Sequence, residues 1–185
     1  MIRSRDAKCL QGIYCDSDSC YGRDWCFDIL AGLVTRMLTV RPARAEDAQS
    51  IGDLSQQFSR YLRQLGDLTD FKLTGETYLR FGFGSQPSFG GLIAEDQGRV
   101  IGYLLYHLGF DSDAAVPNLH VVDLYVDSAV RKQGVGRALM AKAATIARER
   151  GARELIWSVY HANALATTFY EKLGADTSVQ IRFKK

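Results

Sequence analysis

One stretch constrains this chain more than any other: Leu124-Tyr125-Val126-Asp127-Ser128-Ala129-Val130-Arg131-Lys132-Gln133-Gly134-Val135-Gly136-Arg137-Ala138-Leu139. A β-rich run gives way to a basic turn with two glycines, and an amphipathic helix starts at once. Glycine lets the backbone approach a ligand closely, and the first N–H groups of a helix have no partner within it. Such a turn is built to hold a phosphate. Arg131, Lys132 and Arg137 add cationic charge around it. The plainer reading is a strand-to-helix turn that uses glycine for its geometry alone. Two other phosphate motifs fail on the same residues. A Rossmann fingerprint needs a small residue where Leu139 stands, and a P-loop needs Lys-Ser or Lys-Thr where Arg137-Ala138 follow the last glycine.

The rest of the chain from Met37 onward reads as a mixed α/β alternation. A strand at 38–41 precedes a helix opened by Ala45-Glu46-Asp47, whose Ile51, Leu54, Phe58, Leu62 and Leu65 recur at helical spacing. Residues 66–91 are rich in glycine and aromatics and read as a variable loop-helix region, with a short helical turn at 77–81. Two β-rich runs at 91–95 and 99–106 flank Asp96-Gln97-Gly98, a hairpin signal, and a third follows at 119–126. Three adjacent antiparallel strands are expected. A helix at about 135–150 carries the stripe Val135, Leu139, Ala143, Ile146 and Ala147 and ends at Gly151. A strand at 154–159, a helix at 163–173 closed by Gly174 and a final strand near 179–183 complete the reading.

Residues 1–36 look foreign to this pattern. All four cysteines, Cys9, Cys15, Cys20 and Cys26, lie there, and only Cys15 and Cys20 have zinc-knuckle spacing. The segment reads as a weakly ordered extension ahead of a domain at 37–185, and no metal site is expected. Lys+Arg total 23 against Asp+Glu 21, with the basic residues scattered, so nucleic acid is not an expected partner. No run approaches the roughly 20 apolar residues that span a bilayer, and acidic residues interrupt any signal-peptide pattern, so no membrane partner and a cytoplasmic location are expected. His107 and His120 read as strand-face residues and His161 as a loop residue near the cleft, none of them a metal ligand.

The basic turn resembles the acetyl-CoA pyrophosphate loop of the GNAT superfamily of N-acetyltransferases, Gln/Arg-x-x-Gly-x-Gly/Ala, with Arg131, Gly134 and Gly136 in its fixed positions. The resemblance continues through Asn163-Ala164-Leu165-Ala166-Thr167-Thr168-Phe169-Tyr170-Glu171-Lys172-Leu173-Gly174-Ala175 and runs from about Leu38 to the C-terminus. It implies the GNAT acyl-CoA N-acyltransferase fold, a mixed, mostly antiparallel central sheet flanked by helices. It also implies acetyl-CoA as cosubstrate and a primary amine of a small molecule as acceptor, attacking directly without a covalent acyl-enzyme. Leu124, Tyr125 and Val126 would pair with the pantetheine arm through their backbones. Arg131, Lys132, Gln133, Gly134, Val135, Gly136 and Arg137 would cradle the pyrophosphate, with Asn163, Ala166, Tyr170 and Lys172 completing the cofactor site. Tyr170 would act as general acid toward the departing thiolate and Asp123 as base toward the amine.

Within the superfamily the chain is most similar to the diamine (spermidine/spermine) acetyltransferase branch, through Phe81-Gly82-Phe83-Gly84 with Pro87, the 119–126 strand and Phe169-Tyr170-Glu171-Lys172. That likeness implies an acceptor site at Tyr61, Val122 and Asp123, and allows a homodimer. Two carboxylates of the branch are replaced, one at Val122 and one at Leu62 after Tyr61. Polycations bind through carboxylates, so a smaller or amino-acid-like amine is the expected acceptor. A CoA-binding regulatory module without turnover and a protein N-acetyltransferase are the alternative readings.

Overall fold

The computed structural model describes residues 38–69 and 71–175. The proposed boundary at residue 37, the four cysteines and the expected strand near 179–183 lie outside the described residues. Among the described residues, five strands form one sheet in the order β1-β2-β3-β4-β5: β1 Leu38–Pro42, β2 Gly90–Asp96, β3 Arg99–Asp111, β4 Val116–Val126 and β5 Leu155–Trp157. Neighbours are antiparallel except β4 and β5, which run parallel. Among the described residues four helices flank the sheet: α1 Ala48–Gln64, α2 Gly75–Gly82, α3 Val135–Glu149 and α4 Ala164–Glu171. The mixed, mostly antiparallel architecture expected from the sequence is the one observed.

Helical periodicity in α1 and α3 determines which side chains meet the sheet. Ala48, Ile51 and Leu54 of α1 pack with Tyr78 of α2 on Ile93, Tyr103, Leu105 and Tyr125. On the opposite face Val135, Leu139, Met140, Ala143 and Ala147 of α3 cover Leu92, Ala94, Leu104, Leu119 and Val121. A fully buried side chain such as Leu139 contributes on the order of 1.5–3 kcal/mol, so each stripe is ample to seat its helix. The Ala45-Glu46-Asp47 segment forms a 3₁₀ turn ahead of α1 rather than its first α-helical residues. In the region read as variable, Thr74 accepts from the Thr77 N–H and starts a full helix, α2, longer than the expected turn. Both β3 and β4 extend further toward their connecting hairpin than the sequence runs suggested, whereas β5 is only three residues long.

Two irregularities of β4 position the site. Its pairing with β5 covers only Leu119, His120 and Val121, so the following residues have an open edge on that side. Opposite β3, Leu105 pairs with Asp123 and Tyr106 with Val121, which leaves Val122 as the extra residue of a β-bulge. A bulge reverses the alternation of faces. Leu119 and Val121 therefore face α3, whereas Tyr125 faces α1, with Asp123 on the same parity as Tyr125.

Candidate active site

The first turn of α3 presents unpaired backbone amides to the cleft side of the sheet. Gly134 is its N-cap at φ +84°, a left-handed conformation that glycine adopts without strain. Ala138 N–H closes the first helical bond to the Gly134 carbonyl, so the amides of Val135, Gly136 and Arg137 have no acceptor within the helix. Lys132, at φ +61°, bends the chain into this turn. Gly136 serves a different purpose from Gly134. A Cβ there would lie 3.3 Å from Cζ of Phe169, so the glycine lets α4 pack against α3.

A cleft of about 670 Å³ opens between this turn, the free edge of β4, α4 and the C-terminal half of α1. Of the residues singled out in the sequence, Tyr61, Leu124, Tyr125, Val126, Arg131, Lys132, Gly134, Val135, Gly136, Arg137, Asn163, Ala166, Tyr170 and Lys172 line it. Gln133, Val122 and Asp123 do not. Gln133 is exposed, and Val122 occupies the bulge with half of its surface exposed. Phe58, Val130, Leu165, Thr168 and Phe169 also line the cleft. The sequence offered only apolar periodicity for Phe58, which reads as packing, and only a motif position for Phe169.

Several side chains are engaged differently from the sequence reading. The resemblance places Asn163 in the cofactor site, where its side-chain amide can both donate and accept. Its Oδ1 instead accepts from the Ala166 amide at 3.1 Å, as N-cap of α4, and from the Tyr61 hydroxyl at 2.8 Å. Only the amide NH₂ remains to serve a ligand. The Arg131 side chain turns back into the cleft, where Nε donates to the Val126 carbonyl at 3.1 Å and the guanidinium lies 4.7 Å from the Tyr61 ring centre and 5.3 Å from that of Tyr125. The Val126 carbonyl, expected to face pantetheine, thus carries an internal partner.

Tyr170 is buried, stacked on Trp157 at 4.8 Å and edge-on to Phe169 at 5.1 Å. Burial, reinforced by the negative charge of Asp123, pushes its phenol up to about 12. It therefore stays protonated across the neutral range. Burial likewise raises the Asp123 carboxyl to about 6, opposed by the hydroxyl of Tyr103. Asp123 and Tyr170 are thus electrostatic neighbours, one a carboxylate held near neutrality and the other a protonated phenol.

The profile of the Acetyltransferase (GNAT) family matches residues 53–175. The chain belongs to the GNAT acetyltransferase family. Thialysine N-epsilon-acetyltransferase of Bos taurus is 31% identical over 144 residues, covering 74% of this chain and 82% of that protein. An uncharacterized N-acetyltransferase of Bacillus subtilis, YhfO, is 30% identical over 138 residues, covering 74% of this chain and 89% of its own length. An integron cassette protein from the mobile metagenome of V. cholerae shares the fold at a TM-score of 0.65 and 23% identity, over 80% of this chain and 93% of that one. This GNAT chain is accordingly an N-acetyltransferase, and its family uses acetyl-CoA as cosubstrate.

The observed turn fits that cosubstrate. Free amides at the start of α3, the left-handed Gly134 and the open edge of β4 form a cradle and a groove, with Lys132 and Arg137 at the rim. Bound acetyl-CoA supplies an activated acyl carbon and a thiolate leaving group. Among the described residues there is no cluster of three or more His, Cys, Asp or Glu placed to hold a metal. None of the described helices is long and apolar enough to cross a membrane.

Proposed function

We propose that this GNAT enzyme acetylates a primary amine of a small, amino-acid-like molecule, with Asp123 as base and Tyr170 as hydrogen-bond donor at the departing sulfur. The reading is carried by the charge of the cleft. Among the described residues its ionisable lining comprises Arg131, Lys132, Arg137 and Lys172 together with the phenols, with no Asp or Glu. A polycation would find no carboxylate in this lining to pair its additional ammonium groups, whereas an amine that also bears a carboxylate finds Arg131 over the ring of Tyr61. The thialysine acetyltransferase likeness agrees with this class of acceptor.

The amine must be neutral to attack. An alkylammonium of pKa about 10.4 loses its proton more readily to a carboxyl at about 6 than to one at an ordinary 3.9. Raising Asp123 from that ordinary value to about 6 narrows the gap by about 3 kcal/mol. Tyr170 faces the opposite constraint. A phenol near 12 is too weak an acid to surrender its proton outright to a thiolate whose conjugate acid is near 8.5. Its role is to hydrogen-bond the developing charge. Thiol release from acetyl-CoA, measured against a panel of amines, tests the acceptor class. The expected order is amino-acid amine, then diamine, then polyamine, and a preference for spermine at equal concentration would return the chain to polyamine chemistry.

A further inference from the structure

Two buried hydroxyls lie on the α1 side of the sheet with no hydrogen-bond partner, Ser55 Oγ and Tyr103 OH. Both residues are completely buried. Such groups nearly always find partners, so a pair of orphans at one place asks for an explanation. The two belong together: Tyr103, on β3, has both Ser55 of α1 and Asp123 of β4 as neighbours. The bulge at Val122 creates this arrangement, because it turns Asp123 toward α1, onto the face that Tyr103 and Tyr125 share. Among the described residues no cation lies within ion-pair distance of Asp123. Among the described residues the titratable groups facing it are Tyr103 from β3 and Tyr170 from α4, with Tyr125 of its own strand next to Tyr103.

We propose that Tyr103 is a positioning residue for Asp123, the middle member of a hydroxyl relay in which Ser55 donates to Tyr103 and Tyr103 donates to the carboxylate. A carboxylate only accepts hydrogen bonds, and a phenol or hydroxyl both donates and accepts, so this direction satisfies all three groups at once. Ionised Asp123 provides the acceptor that draws the Tyr103 O–H. The phenol oxygen then accepts from Ser55. With one carboxylate oxygen anchored in this way, the other is left to take the amine proton: the N–H bond breaks, the O–H bond forms, and the electron pair stays on nitrogen for attack on the acyl carbon. A hydrogen bond to the charged form also favours ionisation, so the relay would lower the Asp123 midpoint. The relay rests on the reading of Asp123 as base, but its effect on Asp123 can be measured without turnover.

The test is a ¹³C NMR titration of the Asp123 carboxyl in the full chain, beside the pH profile of kcat/KM. Tyr103→Phe keeps the ring and removes the donor. It is expected to raise the Asp123 midpoint by roughly half to one pH unit, the worth of one hydrogen bond, and to move the acid limb of the profile upward by the same amount. Ser55→Ala is expected to shift both in the same direction by less, and it carries the test if Tyr103→Phe does not fold. An unchanged Asp123 midpoint in the folded variants overturns the relay, even if Asp123→Asn abolishes the acid limb and so upholds the base. A raised midpoint supports the relay whatever the profile does. If Asp123→Asn then leaves the limb in place, the base assignment falls while the relay stands.

Discussion

The hydroxyl of Tyr61 donates to Oδ1 of Asn163 at 2.8 Å, joining the end of α1 to the N-cap of α4 across the cleft. The same oxygen accepts the Ala166 amide, and the Tyr61 ring lies 4.7 Å beneath the Arg131 guanidinium. One tyrosine thus fixes the cap of α4 with its hydroxyl and the position of Arg131 with its ring.

Tyr61→Phe separates the two roles. The ring and its cation–π contact survive, while the hydrogen bond is lost, so stability should fall by about 0.5–1.5 kcal/mol in urea denaturation. Asn163→Ala removes the cap as well and should cost more, about 1–2 kcal/mol. In the double variant the losses should not add, because both substitutions remove the same bond. Strict additivity would show that the two residues do not act on each other.

The two glycines of the α3 turn should respond differently. Gly134→Ala forces a side chain into the left-handed region and should cost about 1–2 kcal/mol of stability, with weaker acetyl-CoA binding by calorimetry. Gly136→Val drives a branched side chain into Phe169 and should disturb α4 along with cosubstrate affinity. Wild-type affinity in both variants would count against this turn as the pyrophosphate cradle.

Tyr170→Phe removes only a hydroxyl from a ring held between Trp157 and Phe169. Stability should change by less than about 1.5 kcal/mol and acetyl-CoA affinity by no more than a few-fold, while kcat drops by about 10²-fold, the low end for a lost acid or donor. Full turnover at saturating substrates would remove Tyr170 from the chemistry.

Asp123→Asn should exchange activity for stability, with a definite pH dependence. The folded state holds the Asp123 proton up to about pH 6, whereas the unfolded chain releases it near 3.9. Between these values the folded state binds more protons, so this group makes the protein less stable as pH rises through the window. The neutral amide avoids the penalty. At pH 8 the variant should therefore be more stable than wild type, by at most about 3 kcal/mol, with the advantage vanishing near pH 4. A variant less stable than wild type at pH 8 would contradict the burial cost assigned to this carboxylate.

The sequence by itself determined the features whose physics is local. The spacing of Ile51, Leu54 and Phe58, or of Val135, Leu139 and Ala143, selects a helix and its buried face within a few turns of chain. The turn at 131–137 was legible because a strand, cations, glycines and helix-start amides follow one another without interruption, and the family likeness drew on that same stretch. The tertiary structure decided the rest. A bulge exists only relative to a partner strand, so the side to which Asp123 turns depended on how β4 registers with β3 at Leu105 and Tyr106. Asn163 could not be read as already engaged, since its partner Tyr61 lies 102 residues away and meets it only when α1 and α4 close on the sheet. The buried pair Ser55 and Tyr103 carried no sequence signal at all. A serine within a helix and a tyrosine within a strand are ordinary, and only packing of α1 on the sheet buries their hydroxyls in one place.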